Sequence, residues 1–83
     1  MITIYGKPTC TWCIKAKNLA KQYNQKFEYI DIEEPDNMNQ FKERMPNETK
    51  IPQIWWNGRY IGGYQEFASE LQNTIGGYGE GRL

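Results

Sequence analysis

The chain has no histidine, only two cysteines and no net charge, its ten basic residues being matched by ten acidic ones. Without histidine, a zinc centre would have to complete its four-ligand shell with carboxylates beside the two cysteines, which is rare for structural zinc. Without net charge there is no global field to draw in nucleic acid or an anionic membrane, so neither is expected as a partner. No apolar run approaches transmembrane length. Lys7 and Pro8 interrupt any hydrophobic stretch that could act as a signal peptide at the start. Two cysteines with no export signal point to a reducing compartment, the cytoplasm, where a cysteine pair is more often catalytic than structural. No segment repeats.

What is present suffices for one small domain. At 83 residues, a chain buries about 60–65% of the surface exposed when unfolded. A hydrophobic fraction of 39%, with 14% aromatics, supplies a core built partly from Trp, Tyr and Phe. The charges are segregated. Residues 1–26 carry five lysines and no acid, and Glu28, Asp31, Glu33, Glu34 and Asp36 follow with no base between them. Lysines near Cys10 would favour an anionic thiol, although Lys15, Lys17 and Lys21 are equally consistent with a solvated helix face.

The chemistry concentrates in Lys7-Pro8-Thr9-Cys10-Thr11-Trp12-Cys13. Before it, Ile2-Thr3-Ile4-Tyr5 alternates as a first strand does, and after it Ala16, Leu19, Ala20 and Tyr23 recur at helical spacing. A strand turning into a helix with two cysteines at the turn is a thiol–disulfide site in outline. At a helix mouth the unpaired N–H groups and the macrodipole favour an anion. Cys10 is therefore expected to act as the nucleophilic thiolate. Cys13, one turn on, is placed to attack a mixed disulfide formed on Cys10. Two rivals remain beside zinc. A structural disulfide closing so small a ring would constrain the unfolded chain little. Two inert buried thiols fit poorly with the loop residues Pro8 and Thr9 just ahead.

Along the rest of the chain, helix from about Trp12 to Tyr23 leads to a second strand over Phe27–Ile32. This makes a βαβ unit with parallel strands and a right-handed crossover. Pro35 sits at a helix start and Met38, Phe41 and Met45 recur on one face, giving a second helix from about Glu34 to Met45, stopped before Pro46. Gln53-Ile54-Trp55-Trp56 and Arg59-Tyr60-Ile61 flank Asn57-Gly58, the strongest short hairpin signal. Gly62-Gly63 is expected to break that strand, and a last helix runs from about Tyr64 to Ile75 with Phe67, Ala68, Leu71 and Ile75 inward. Residues 76–83, with four glycines, read as a mobile tail to a domain over 1–75.

The order β-α-β-α-β-β-α with Cys-x-x-Cys at the first strand–helix junction resembles a glutaredoxin, the small dithiol branch of the thioredoxin fold. The likeness covers about residues 1–75 and rests on three places: Lys7 through Cys13, Ile51-Pro52 before a strand, and Gly62-Gly63 before the last helix. The shortness of the chain is similar to that of glutaredoxins encoded by phages. The resemblance implies an α/β fold with a four-stranded mixed sheet flanked by three helices. It also implies a monomeric glutathione-dependent thiol–disulfide oxidoreductase, with glutathione as co-substrate and ribonucleotide reductase or other protein disulfides as clients. Catalysis falls to Cys10 and Cys13. Lys7, Thr11, Trp12, Ile51, Pro52, Gly63, Tyr64 and Gln65 would contact glutathione. Pro52, in cis, would turn Ile51 so that a tripeptide could pair with its backbone like an added strand. A polar contact from the second helix is assigned to Gln40.

The sequence departs from the family pattern at four positions. Thr11 stands for proline, Trp12 for tyrosine and Lys50 for the threonine of Thr-Val-Pro. Gln65 stands for an aspartate that caps the last helix and touches the γ-glutamyl end of glutathione. An amide there hydrogen-bonds an ammonium without pairing its charge. Two alternatives stay open: a glutaredoxin-like redoxin served by thioredoxin reductase, and a [2Fe–2S] cluster bridging two subunits through Cys10 and glutathione.

Overall fold

The computed structural model describes residues 1–76, with backbone only for 75 and 76, so the expected glycine-rich tail and the side chain of Ile75 lie outside the described residues. Four strands, β1 (Ile2–Gly6), β2 (Phe27–Asp31), β3 (Gln53–Trp56) and β4 (Arg59–Gly62), form one sheet in the order β2-β1-β3-β4. β1 pairs parallel with β2, and the other two pairings are antiparallel. The helices are α1 (Thr11–Gln22), α2 (Pro35–Arg44) and α3 (Tyr64–Leu71). The sheet is thus mixed, with three helices, as the resemblance implies. Among the described residues no helix is long and apolar enough to cross a membrane.

Alternation along β1 explains the layering. Ile2 and Ile4 point to one face and meet Ala16, Ala20, Phe67 and Leu71, so α1 and α3 share that side. Tyr5 points the other way and packs with Ile32 and Phe41 beneath α2, with Met38 and Met45 at the margin. The small residues Ala16 and Ala20, both fully buried, let α1 lie close on the strands.

Two boundaries differ from expectation. Gly62 does not break β4 but ends it, still paired with Ile54, and the register slips between Ile54 and Trp55 so that Ile61 is an extra residue opposite them. Gly62 has φ +126°, a backbone conformation that a glycine adopts without steric cost, which is why a bulge forms here. The last helix keeps α-helical bonding only to Leu71 and continues as a π-helical turn over Gln72–Gly76. The Asn57-Gly58 turn has positive φ at both residues, as a two-residue type I′ hairpin turn requires.

Candidate functional site

β1 delivers the chain to the site, and Gly6 lets it arrive. A β-carbon on Gly6 would stand 2.8 Å from both Cβ and Sγ of Cys13 and 2.7 Å from the hydroxyl oxygen of Tyr29. Only glycine permits α1 to seat its second cysteine so close to the strand. Residues 7–10 then form a turn closed by the Cys10 N–H donating to the Lys7 carbonyl at 3.3 Å.

Cys10 is the N-cap of α1. Its backbone is extended, its carbonyl accepts from the Ile14 N–H at 3.0 Å, and its Sγ accepts from the Cys13 N–H at 3.3 Å. The sulfur thus occupies the place of a serine or aspartate oxygen in an ordinary cap, and no acid in the first turn competes with it for the positive end of the helix. Cys10 is partly exposed, whereas Cys13 is fully buried. Burial, reinforced by the hydrogen bond and charge of Cys10, pushes the Cys13 thiol from about 9 up to about 12. The pair is therefore divided into a partly exposed sulfur that accepts one backbone N–H and a buried one kept protonated.

That division has a consequence for stability. The native state holds the Cys13 proton over the window from about 9 to about 12 while the unfolded chain has already released it. The contribution is intact below the unfolded value and is lost as pH rises through the folded one. Urea midpoints of the reduced protein are expected to fall between pH 9 and pH 11, and Cys13→Ala should flatten that decline. An equally steep decline in the variant would place its origin elsewhere.

Beside Trp12, which stands between the two cysteines, lies an open cleft of about 750 Å³ that neither Cys10 nor Cys13 itself lines. One wall is Trp12, half exposed, its ring 5.2 Å from that of Tyr64 and capped by the Lys15 ammonium at 4.4 Å. Lys50, Ile51 and Pro52 form another wall, and the Ile51–Pro52 bond is cis. Gly63, Tyr64 and Gln65 close the far end, with Gly63 near the Pro52 carbonyl. Trp12, Ile51, Pro52, Gly63, Tyr64 and Gln65 are therefore brought to one cleft. Lys7 and Thr11 do not line it, and Gln40, on exposed α2, faces the Tyr5 hydroxyl at 3.4 Å instead.

Three residues that sequence reasoning passed over shape this cleft. Gln53 is 6% exposed and joins the Lys50 carbonyl, which accepts from its Nε2 at 3.0 Å, to the Tyr60 hydroxyl, which donates to its Oε1 at 2.5 Å. This bridge holds the loop carrying Ile51 and Pro52 against the hairpin. Burial, together with the nearby carboxylates of Glu48 and Glu66, raises the Tyr60 hydroxyl above its ordinary pKa and keeps it a donor. Glu66 also lines the cleft and accepts the Gly63 N–H at 3.0 Å. A carboxylate in the first turn of α3 is thus present one residue beyond Gln65. Its signal was legible as a glutamate three residues after a helix-opening glycine.

Comparison with known proteins gives a consistent result. The glutaredoxin family model matches residues 2–61. Glutaredoxin 1 of Escherichia coli is 31% identical over 81 residues, covering 87% of this chain and 93% of that protein. The solution structure of reduced Escherichia coli glutaredoxin superposes with a TM-score of 0.75 at 26% identity, covering 89% of this chain and 95% of the other. Mouse mitochondrial glutaredoxin-2 is 31% identical over 65 residues, which is 75% of this chain, but the match spans only 42% of that longer protein. A buckwheat glutaredoxin–glutathione complex shares the fold, with a TM-score of 0.72 at 15% identity, covering 90% of this chain and 71% of the buckwheat one.

Proposed function

The chain belongs to the glutaredoxin family, and from that premise we propose that it is a glutathione-dependent thiol–disulfide oxidoreductase. The observation that carries this reading is the inequality of the two cysteines: Cys10 Sγ caps a helix and accepts a backbone N–H, and Cys13 is buried and protonated one turn in. Cys10 thiolate attacks one sulfur of a substrate disulfide, forming a mixed disulfide and releasing the other sulfur as a thiolate that takes up a proton. Cys13 then attacks Cys10 Sγ, the mixed bond breaks, and the second substrate thiol leaves. The substrate gains two electrons and the protein is left as the Cys10–Cys13 disulfide. Two glutathione molecules reverse this, becoming glutathione disulfide.

The cleft walled by Trp12 and Ile51-Pro52 is the glutathione site in this reading, with the tripeptide paired along the Ile51 backbone. The buckwheat complex supports glutathione as the ligand class. Lys7, outside the cleft lining, would act on the approach of the anionic tripeptide, and Thr11 at the helix mouth beside Cys10. Ribonucleotide reductase and other protein disulfides are the proposed clients, a reducing cytoplasm the proposed setting, and a monomeric domain over 1–75 the working unit.

The deciding experiment compares reductants. With NADPH, glutathione and glutathione reductase the protein should reduce a mixed disulfide of glutathione and a small thiol, and with NADPH and thioredoxin reductase alone it should be slow. Faster turnover with thioredoxin reductase would overturn glutathione dependence and leave a redoxin of the other branch. A [2Fe–2S] cluster shared by two copies through Cys10 and glutathione would show as visible absorbance of the purified protein, which this reading expects to be colourless.

Gln65 tests the cleft itself. It is exposed and lines the far end, where the γ-glutamyl ammonium would lie. Gln65→Asp should lower the KM for glutathione by about two- to fivefold, the modest effect of an ion pair open to water. An unchanged KM would put the γ-glutamyl end elsewhere.

A further inference from the structure

Tyr29, in the middle of β2, has no part in the chemistry above, yet it reaches into the centre of the site. Its hydroxyl donates to the Lys7 carbonyl at 2.7 Å. The same hydroxyl is close to the buried sulfur: one point, a β-carbon on Gly6, would be 2.7 Å from Tyr29 Oη and 2.8 Å from Cys13 Sγ, and each group shifts the other's protonation through a side-chain hydrogen bond. The ring is held from the other side by Lys17, whose ammonium is 5.4 Å from its centre.

The buried thiol needs such a neighbour. To resolve a mixed disulfide, Cys13 must become an anion in a place from which water is excluded, and an unpaired buried anion is costly. Its own N–H is committed to Cys10 Sγ, which leaves the backbone of Lys7 and the Tyr29 hydroxyl as the donors beside it. The Tyr29 O–H lies beside the sulfur and remains protonated, since burial first, and then the charges of Cys13, Cys10 and Asp31, raise its pKa above the ordinary tyrosine value. The charged and titratable groups facing the pair are Cys10 and Lys17 from α1 and Asp31 from β2.

Resting on the dithiol reading, we propose that Tyr29 is a catalytic residue of the resolving step, its hydroxyl turning from the Lys7 carbonyl to donate a hydrogen bond to the Cys13 sulfur as the thiolate forms. In that step the Cys13 thiol loses its proton, its sulfur bonds to Cys10 Sγ, and the bond from Cys10 to the substrate sulfur breaks. The departing thiolate takes up one proton, so the tyrosine keeps its own. Release of the Lys7 carbonyl costs one neutral hydrogen bond and gains one to a charged sulfur, which is the stronger of the two.

Stopped-flow reaction with a chromogenic aromatic disulfide, dithiobis-nitrobenzoate, separates the steps. Attack by Cys10 releases one coloured thiolate, and resolution by Cys13 releases the second. Tyr29→Phe, which removes a single oxygen, should slow the second phase by about tenfold, the loss of one charge-assisted hydrogen bond. It should also move the pH profile of that phase to higher pH. Equal slowing of both phases would mean that Tyr29 only supports the turn through Lys7, and an unaltered second phase would likewise overturn the proposal. If the unsubstituted protein releases only one thiolate, the dithiol reading itself fails, a distinct outcome. Should Tyr29→Phe not fold, fluorotyrosine placed at position 29 strengthens the donor and must quicken the second phase; no change there refutes the role.

Discussion

Cys10→Ser should reduce turnover of every disulfide substrate to the level of the reagent blank, while Cys13→Ser keeps turnover of small glutathione mixed disulfides and loses that of protein disulfides. Serine in place of Cys10 can still cap α1 through its oxygen, so the fold survives and the loss belongs to chemistry. A hydroxyl at the helix mouth is not ionised near neutral pH and is a poor nucleophile toward sulfur. The second substitution removes only the resolving thiol. A mixed disulfide with glutathione is cleared by a second glutathione from solution, but one with a protein must be opened from within. Iodoacetamide trapping followed by mass spectrometry gives an independent check. Cys10 should carry the label first, because Cys13 is fully buried and its thiol is pushed up to about 12. Labelling of Cys13 ahead of Cys10 would reverse the two roles.

Gly6→Ala should meet the tightest contacts of any alanine placed at the glycines Gly6, Gly58, Gly62 and Gly63. The added carbon would lie 2.8 Å from Cβ and Sγ of Cys13 and 2.7 Å from Tyr29 Oη. None of these is the free end of a flexible chain. Cys13 Cβ is fixed to the first turn of α1, and the Tyr29 hydroxyl is tied to the Lys7 carbonyl. Relief requires α1 to move off β1, opening the layer in which Ala16 and Ala20 pack on Ile2 and Ile4. Overpacking of this kind costs about 1–3 kcal/mol, which in a domain of this size lowers Tm by roughly 10 °C. The same shift disturbs the turn from Gly6 to Cys10 that seats both cysteines, so protein-disulfide turnover should fall even at temperatures where the variant stays folded. A variant with unchanged Tm and unchanged resolution would show that the helix yields there without cost.

Gly6, Gln53 and Tyr29 mark the boundary between what was legible in the residues and what was not. In the sequence each was unremarkable: a glycine ending a strand, a glutamine after a proline, a tyrosine on an alternating strand. The order of elements, the cysteines at the strand–helix junction and the hairpin at Asn57-Gly58 were decided by the sequence alone, because helical and strand periodicities and turn chemistry act over a few neighbouring residues. Cys10 at a helix mouth followed from the same local rules. That β1 lies between β2 and β3, and the register of each pairing, was decided only by the tertiary structure. Parallel pairing of Ile4 with Tyr29 carries the Tyr29 hydroxyl to the turn at Lys7, 22 residues away in sequence. The bulge at Ile61 sets Tyr60 where it can hold Gln53, and through it the Lys50 carbonyl. The burial that separates Cys13 from Cys10 belongs to the same level: identical side chains three residues apart differ because one caps the helix at its partly exposed mouth and the other is buried against the strand beneath it, and that depends on the packed helix and sheet together.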